Sequence, residues 1–437
     1  MLEYNMPVHE GWNIVNIAMQ VPESHQIYVC PENCARGVIM TAHEMGAADR
    51  ISCVTVSERD LIVDNLETVT IEGVSDVVSE LAEKPAVIFL FTVCSHRILS
   101  CDFSYVFRAL RKRFPEIIWA HGYMDCIAQK EGPAPDVKLR RAMYDFVPKS
   151  ETSEKTVNLL GIEVRATAEN NDIVAFYEKN GYRVRQLSDI HRFDEYMKLG
   201  DACLNICMHK PGDEAVRQFS ERLGIPYVFV LPFFDEKTVS EWWKRTDLSQ
   251  APEKELTYEE VAGRYRAFQE EIGDSPVVID SMAITCPYSL AYFLLENGFN
   301  VQAVVSDGPA EYESDIYGRL MKKYPSLLTV KPTDPRLREK SYRDSLIEKA
   351  VETCRQTETD GNDTVTETPA SVRILAIGPM AAWIYATPYF VNQIENDGAF
   401  GCLGMNALLE KMQDAFWASK DMPHTVSRKA LGCACVQ

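Results

Sequence analysis

The sequence predicts an α/β protein of three tandem Rossmann-like domains, each built on a parallel sheet. Short apolar segments alternate along the chain with longer segments of helical period, the pattern of repeated βαβ units. The length of 437 residues agrees with three domains, because a domain averages roughly 150 residues. We place domain I at 1–155, domain II at 156–272 and domain III at 273–437.

Domain I opens with the strand "HQIYVC", and the helix after it ends at Gly46, a residue that favours helix termini. The segment "AVIFLFTV" is apolar except for Thr92, as expected of a strand that is buried on both faces. The predicted elements are strands at 25–30, 51–57 and 86–93 and helices at 34–46, 74–84 and 103–115.

Domains II and III repeat this alternation of strands and helices. The elements of domain II follow "VNLLG" (157–161): the predicted strands are 182–188, 202–208 and 225–233, and the helices are 171–181, 193–200 and 213–224. In domain III the predicted strands are 277–284, 300–307 and 372–378, and the helices are 287–298 and 313–325. The segment 353–371 is polar, acidic and without periodicity, which predicts a mobile surface loop.

Charge and hydropathy exclude two classes of partner. The net charge is -19 and no basic cluster is long enough to follow a phosphate backbone, so nucleic acid is not an expected partner. The longest apolar segments fall short of the roughly 18 residues that a membrane span needs, and the N-terminus lacks the pattern of a signal peptide. We therefore expect a cytoplasmic protein with no membrane partner.

Thirteen cysteines in a chain that is not expected to be secreted predict free thiols rather than a disulfide framework. Such a number indicates metal ligands or an anaerobic host that has no need to avoid cysteine. Cys203, Cys286 and Cys354 stand in apolar or helical contexts, where cysteine commonly serves as a small hydrophobic residue.

Two of the predicted strands of domain I end at cysteines. Cys30 ends the first strand and Cys34 opens the helix after it, while Cys94 ends "AVIFLFTVC" before the loop "SHRILSCD". Ligands of open α/β sheets bind beyond the carboxyl ends of the strands, so these three thiols could converge there. Thiolates near helix N-termini suit an iron–sulfur cluster, and the compact CxxC pairs of structural zinc sites are missing from the sequence.

The chain resembles the component 1 proteins of nitrogenase and their relatives, among them the subunits of dark-operative protochlorophyllide reductase. The resemblance covers nearly the whole length and rests on the order and spacing of several segments. These are "CPENCARGV", "TVSERDLIVDNLE" (55–67), "TVCSHRILSCD" (92–102), "VNLLG" and "LGIPYVFVLPF" (223–233).

The resemblance implies three Rossmann-like domains and an iron–sulfur cluster, [4Fe–4S] or larger, at a subunit interface. Cys30 and Cys94 match cluster ligands of the family by position. The loop that carries the family's middle ligand is missing, so Cys34 or Cys53 could supply the third thiolate, or the cluster could be smaller or shared differently between subunits. We favour Cys34, which stands at a turn, over Cys53 in mid-strand, where a buried thiol is the ordinary outcome.

A second metallocluster could bind at Cys207, which matches the family's cofactor cysteine to within about a residue. Ile394 and Glu395 stand where the family has Met-His, so standard dinitrogen reduction is not expected. Glu395 or the nearby Cys402 could bind a different metal, because carboxylate and thiolate both ligate transition metals. Cys433 and Cys435 could also bind metal, although residues this close to a chain terminus are usually poorly ordered.

The resemblance further implies a homologous component 1 subunit as partner, in a homodimer or heterotetramer, and an ATP-dependent iron protein as electron donor. That donor could dock on the basic residues that follow Cys94. A cluster of charges like this one is equally typical of a helix face that is exposed to solvent. These residues are Arg97, Arg108, Arg111, Lys112 and Arg113.

Three functions compete at this point. The first is a subunit of a nitrogenase-like reductase with an unidentified substrate, and the second is a cluster-assembly scaffold without turnover. The third is a small-molecule binding protein, which the thiol count and the missing signal peptide oppose. His96, His121 and His209 are candidates for proton delivery. Histidines in such positions are more often surface or helix-end residues whose hydrogen bonds are already made.

Overall fold

A computed structural model describes residues 14–62, 65–124, 132–237, 256–357 and 372–422, with the side chains of 44 and 353–357 left out. The described chain forms two compact units. The amino-terminal unit holds residues 14–163 and 182–229, and the carboxyl-terminal unit holds residues 164–181 and 230–422. The predicted domain boundaries at 155 and 272 remain a prediction.

The first sheet belongs to the amino-terminal unit and has four parallel strands in the order β2-β1-β3-β4. Every residue of β1 and β3 is buried, as expected of inner strands of a parallel sheet. The strands are β1 (Ser24–Cys30), β2 (Ile51–Thr55), β3 (Val87–Val93) and β4 (Ile118–Met124). The helices are α1 (Ile14–Met19), α2 (Glu32–Glu44), α3 (Glu58–Ile62), α4 (Leu66–Glu80), α5 (Cys94–Ile98), α6 (Phe103–Arg113) and α7 (Pro135–Asp145).

The second sheet also lies in the amino-terminal unit, with four parallel strands in the order β6-β5-β7-β8. Its strands are β5 (Ser153–Leu160), β6 (Arg183–Gln186), β7 (Ala202–Cys207) and β8 (Tyr227–Phe229). Its helices are α9 (Phe193–Tyr196) and α10 (Lys210–Leu223), whereas α8 (Asp172–Lys179) belongs to the carboxyl-terminal unit. Gly224 ends α10 in the left-handed conformation that favours glycine.

The third sheet lies in the carboxyl-terminal unit and has five parallel strands in the order β11-β10-β9-β12-β13. Its strands are β9 (Pro276–Asp280), β10 (Asn300–Val305), β11 (Leu328–Val330), β12 (Leu375–Ile377) and β13 (Phe390–Val391). Its helices are α11 (Tyr258–Ile272), α12 (Pro287–Glu296), α13 (Ser314–Lys323), α14 (Lys340–Thr357), α15 (Pro379–Ile384) and α16 (Gly401–Trp417).

Alternate residues of the inner strands fill two cores of the amino-terminal unit. Ile27 and Val29 pack with α4 and α6 on one side of the first sheet, whereas Tyr28 and Cys30 belong to the core on the other side. The Tyr28 ring stacks on Phe91 of the neighbouring strand with 4.3 Å between ring centroids. Cys30 is therefore oriented toward the side of the sheet that α2 covers.

The structure confirms the predicted α/β class with tandem parallel sheets. The predicted loop at 95–102 is wrong for its first half, because residues 94–98 form α5, in which the His96 side chain accepts the backbone N–H of Val93. Residues 99–102 lie outside any helix or strand, as predicted. The predicted loop at 353–371 begins inside α14, which continues to Thr357, and 358–371 lie outside the described residues. None of the described helices has the length and apolar character needed to cross a bilayer.

Candidate functional site

The first candidate site is the carboxyl edge of the first sheet, where Cys30 and Cys94 lie. Cys30 is the last residue of β1 and Cys94 follows β3, the strand that pairs with β1. Val29 pairs with Thr92, so the two cysteines are offset along neighbouring strands by about one residue. Strand geometry then puts their Cα atoms roughly 6 Å apart. The strand register therefore brings the backbone positions of Cys30 and Cys94 close together.

The Cys30 thiol is buried in a thiol-rich environment. Burial raises its pKa to about 12, and the nearby thiols of Cys53 and Cys34 add to this shift. Cys34 is exposed in the first turn of α2, and Cys53 is half-buried in β2. Both candidates for a third ligand therefore lie close to Cys30, and the choice between them remains open.

The three thiols do not form the compact set that would hold a single metal ion. Within the described ranges, Cys30, Cys34 and Cys94 are not a group whose ligand atoms all lie within 4.8 Å of one another. Thiolates of an iron–sulfur cluster bind different iron atoms and stand further apart than the ligands of one ion. In the described conformation the three thiols are therefore not arranged around one bound ion.

Two histidines lie close to this edge and share an aromatic neighbour. The Phe103 ring is 5.7 Å from the His96 ring and 4.7 Å from the His121 ring, centroid to centroid. The Nε2 atom of His121 lies 2.9 Å from Thr92 Oγ1. Burial lowers the pKa of both histidines to about 4, so at neutral pH neither holds a proton as an imidazolium. This weakens their candidacy for proton delivery.

Cys207 ends β7 and is completely buried in the core of the amino-terminal unit. Its Sγ atom donates to the carbonyl oxygen of His209 at 3.2 Å, and burial raises the thiol pKa to about 12. Gly161 lies so close that a Cβ atom there would be 2.8 Å from Sγ, which explains a glycine with φ of +77° at that position. Its role as a cofactor ligand remains a prediction.

Beside Cys207 lies a group of charged side chains that the sequence analysis did not identify. Arg140 of α7 donates to Asp136 Oδ2 at 2.8 Å and, through Nε and Nη2, to Glu163 Oε1 at 3.1 and 2.5 Å. The side chains of Asp136, Arg140 and Glu163 are 10%, 5% and 6% exposed. His209 lies next to them, and its Nδ1 atom is 3.2 Å from the carbonyl oxygen of Gly161.

Glu395 lies in the carboxyl-terminal unit at the start of an unusual backbone segment. Glu395, Asn396 and Asp397 have φ of 47°, 58° and 54°, and Gly398 continues the left-handed run with 69°. This conformation costs an L-residue roughly 1–2 kcal/mol, and such segments cluster at functional sites. Its backbone N–H donates to the carbonyl oxygen of Met282 at 2.8 Å. The metal role of Glu395 remains a prediction.

The remaining cysteine candidates divide between the core and the part of the chain that is not described. Cys402 is buried near the start of α16, where its backbone N–H donates to Asp172 Oδ2 at 2.8 Å. Cys433 and Cys435 lie outside the described residues. Cys286 is fully buried, and burial raises the pKa of its thiol well above the usual range, which agrees with a structural role.

The basic residues after Cys94 lie mostly on α6. Arg113 makes a two-pronged ion pair with Glu72, at 2.8 and 2.5 Å, and also donates to Ser75 Oγ. Arg111 lies over the ring of Phe107 at 5.5 Å from the centroid. Arg108 and Lys112 are exposed. Arg113 is therefore held in place within the chain, and the other three basic residues of α6 are better placed to meet a partner.

Three helix-flanked parallel sheets define a multi-sheet α/β protein of Rossmann-like class. The model of the nitrogenase component 1 type oxidoreductase family matches residues 15–344. That match covers most of the sequence, so the chain belongs to this family and the resemblance is confirmed. No curated protein matches the sequence.

Solved structures agree with this family assignment at the level of the fold. The structure of nitrogenase Cp1 at pH 6.5 is 13% identical, with a TM-score of 0.63, and the match covers 93% of this chain and 91% of that chain. The structure of nitrogenase Cp1 at pH 5 is 12% identical, with a TM-score of 0.55, and covers 92% and 86%. Identity at this level supports the shared fold alone.

Proposed function

We propose that the chain is a subunit of a nitrogenase-like, iron–sulfur-dependent reductase. It receives electrons from an ATP-dependent iron protein and reduces a substrate that is not yet identified. We do not expect this reaction to be the reduction of dinitrogen with the standard cofactor. The observation that carries this proposal is the placement of Cys30 and Cys94 at the carboxyl ends of adjacent parallel strands. Family membership supplies the chemical class, that of an oxidoreductase.

The residues at the edge of the first sheet fit an iron–sulfur cluster. Cys30 and Cys94 are the principal ligands, and either Cys34 or Cys53 supplies a third thiolate. When bound, such a cluster supplies low-potential single electrons, which reduce bonds that a hydride donor cannot. Because burial keeps Cys30 protonated in the metal-free chain, cluster loading releases its proton.

A homologous subunit is the proposed partner at this edge. Three large apolar side chains that follow Cys94 in the sequence are exposed: Ile98 at 68%, Leu99 at 46% and Tyr105 at 51%. Large exposed apolar side chains that form a contiguous patch mark interaction surfaces. A neighbouring chain that covers them would also be placed to complete the coordination of the cluster, as a homodimer or a heterotetramer.

Electron transfer from the donor protein tests this proposal. Anaerobically purified chain, with its partner subunit, is mixed with an ATP-dependent iron protein, and cluster reduction is followed by electron paramagnetic resonance. The proposal predicts reduction that requires both ATP and the iron protein. A cluster that dithionite reduces but the iron protein with ATP does not would contradict the role as a reductase subunit.

A cluster-assembly scaffold of the same family is the second candidate. Glu395 at the position of the family's histidine favours it, because an incomplete ligand set would hold a cluster precursor loosely. A scaffold releases its cluster to an acceptor protein, whereas a reductase retains it through ATP-dependent redox cycles. Iron counts per chain before and after such cycles distinguish the two functions.

A further inference from the structure

We propose a mononuclear site for a divalent first-row transition-metal ion in the amino-terminal unit, with Glu163 and His209 as its protein ligands. A carboxylate oxygen of Glu163 and a ring nitrogen of His209 lie within 4.8 Å of each other, a distance that one ion can bridge. The site lies at the carboxyl edge of the second sheet, since Glu163 follows β5 and His209 follows β7. It uses none of the cluster cysteines.

The charges of Asp136, Arg140 and Glu163 favour the binding of a cation beside Glu163. Asp136, Arg140 and Glu163 carry a net charge of -1 when ionised, and all three side chains are at least nine-tenths buried. Among the described residues, Asp136 Oδ1 and Glu163 Oε2 are buried and accept no hydrogen bond. An uncompensated buried charge is strongly destabilising, so a bound cation accounts for both observations.

Each proposed ligand is oriented by a hydrogen-bond partner, as metal ligands usually are. Arg140 donates to Glu163 Oε1, which orients the carboxylate and leaves Oε2 for the metal. His209 Nδ1 lies 3.2 Å from the carbonyl oxygen of Gly161, which can only accept, so Nδ1 carries the proton and Nε2 presents the lone pair. Histidine ligands of metals commonly make this contact with a backbone carbonyl.

The ligand types restrict the metal and suggest its use. Imidazole with a carboxylate suits Zn²⁺, Fe²⁺ or Mn²⁺, whereas Ca²⁺ and Mg²⁺ prefer oxygen ligands alone. Two protein ligands leave coordination positions for water or for an anionic substrate group. Such an open site activates a bound oxygen atom, unlike a closed structural site.

Mn²⁺ is a suitable probe, because this hard ion does not compete for the cysteine thiolates. Binding is measured from the loss of the free-ion signal in electron paramagnetic resonance as the full chain is titrated. We expect saturable binding of one Mn²⁺ per chain, and Zn²⁺ should displace it. Glu163→Gln and His209→Gln should each weaken binding by about tenfold or more, and Asp136→Asn by about tenfold.

Matched substitutions at exposed positions serve as controls: Glu169→Gln and His191→Gln should leave the affinity unchanged. Cys30→Ala should also retain Mn²⁺ binding, so failure of the cluster proposal and failure of this one are distinguishable. Circular dichroism establishes that each variant is folded. Absence of saturable binding, or equal affinity of Glu163→Gln and Glu169→Gln, would overturn the assignment.

Discussion

The buried carboxyl group of Glu313 should make the stability of the carboxyl-terminal unit depend on pH. Glu313 is 1% exposed, and its Oε1 atom accepts the backbone N–H groups of Tyr288 and Ser289, each at 3.0 Å, at the start of α12. Burial raises its pKa from 4.5 to about 8, against the opposing effect of these two hydrogen bonds. We predict that Glu313→Gln removes the resulting pH dependence.

The direction of the pH dependence follows from proton linkage. The folded chain holds the Glu313 proton more tightly than the unfolded chain, so the contribution of this group to the free energy of unfolding is fully present below about pH 4.5. It is lost as the pH rises through about 8. Each pH unit between these limits lowers the free energy of unfolding by about 1.4 kcal/mol. Between pH 5.5 and 7.5 the advantage of Glu313→Gln over the wild type should therefore grow by about 2.5 kcal/mol.

Urea unfolding followed by circular dichroism at several pH values measures this difference. Comparison with the wild type at each pH cancels the contributions of the buried histidines. Glu311→Gln is the matched control, because Glu311 is exposed two residues earlier and its replacement removes the same charge. A flat difference between Glu313→Gln and the wild type, or a slope equal to that of Glu311→Gln, would refute the reasoning.

Two further predictions concern the surface of α6 and the edge of the third sheet. Charge reversal at Arg108 and Arg111 should slow ATP-dependent cluster reduction about tenfold at low salt, less at high salt, with iron content unchanged; equal rates at all salt concentrations would exclude a docking role. Gly378→Ala should cost about 3 kcal/mol or more in urea unfolding, because its Cβ would lie 2.0 Å from Asp280 Oδ2 at a φ of +121°. Gly318→Ala, on open helix surface, is its control, and equal stability of the two variants would contradict this account.

The sequence predicted the inner strands well, because each contains a stretch of apolar residues that is buried on both faces of the sheet. β1, β3 and β9 are completely buried, and each lies within or overlaps a predicted strand. The edge strand β4 (Ile118–Met124) was missed, since its sequence "IWAHGYM" includes a histidine and a glycine and is only partly buried. Helix α5 was missed because five residues are too few to show a period.

The two candidate sites also differ in how far the sequence could predict them. Cys30 and Cys94 could be placed at one edge from the sequence, because parallel strands bring their carboxyl ends together. The group around Glu163 could not be predicted from the sequence. Its members come from three separate segments, and charged residues usually indicate a solvated surface. The spacing of Asp136 and Arg140, four apart on a helix, was the only local signal, and it does not distinguish a buried pair from an exposed one.

The iron and acid-labile sulfide content of anaerobically purified chain shows whether Cys30 and Cys94 hold an iron–sulfur cluster. Wild-type protein is compared with Cys30→Ala, Cys94→Ala and the matched variant Cys203→Ala, whose thiol lies in β7 and contacts the carbonyl oxygen of Thr156 at 3.1 Å. The account predicts brown wild-type protein with iron and sulfide in roughly equal amounts. Both should be lost or sharply reduced in Cys30→Ala and Cys94→Ala and retained in Cys203→Ala. Colourless wild-type protein with stoichiometric zinc, or an unchanged cluster in Cys30→Ala and Cys94→Ala, would contradict it.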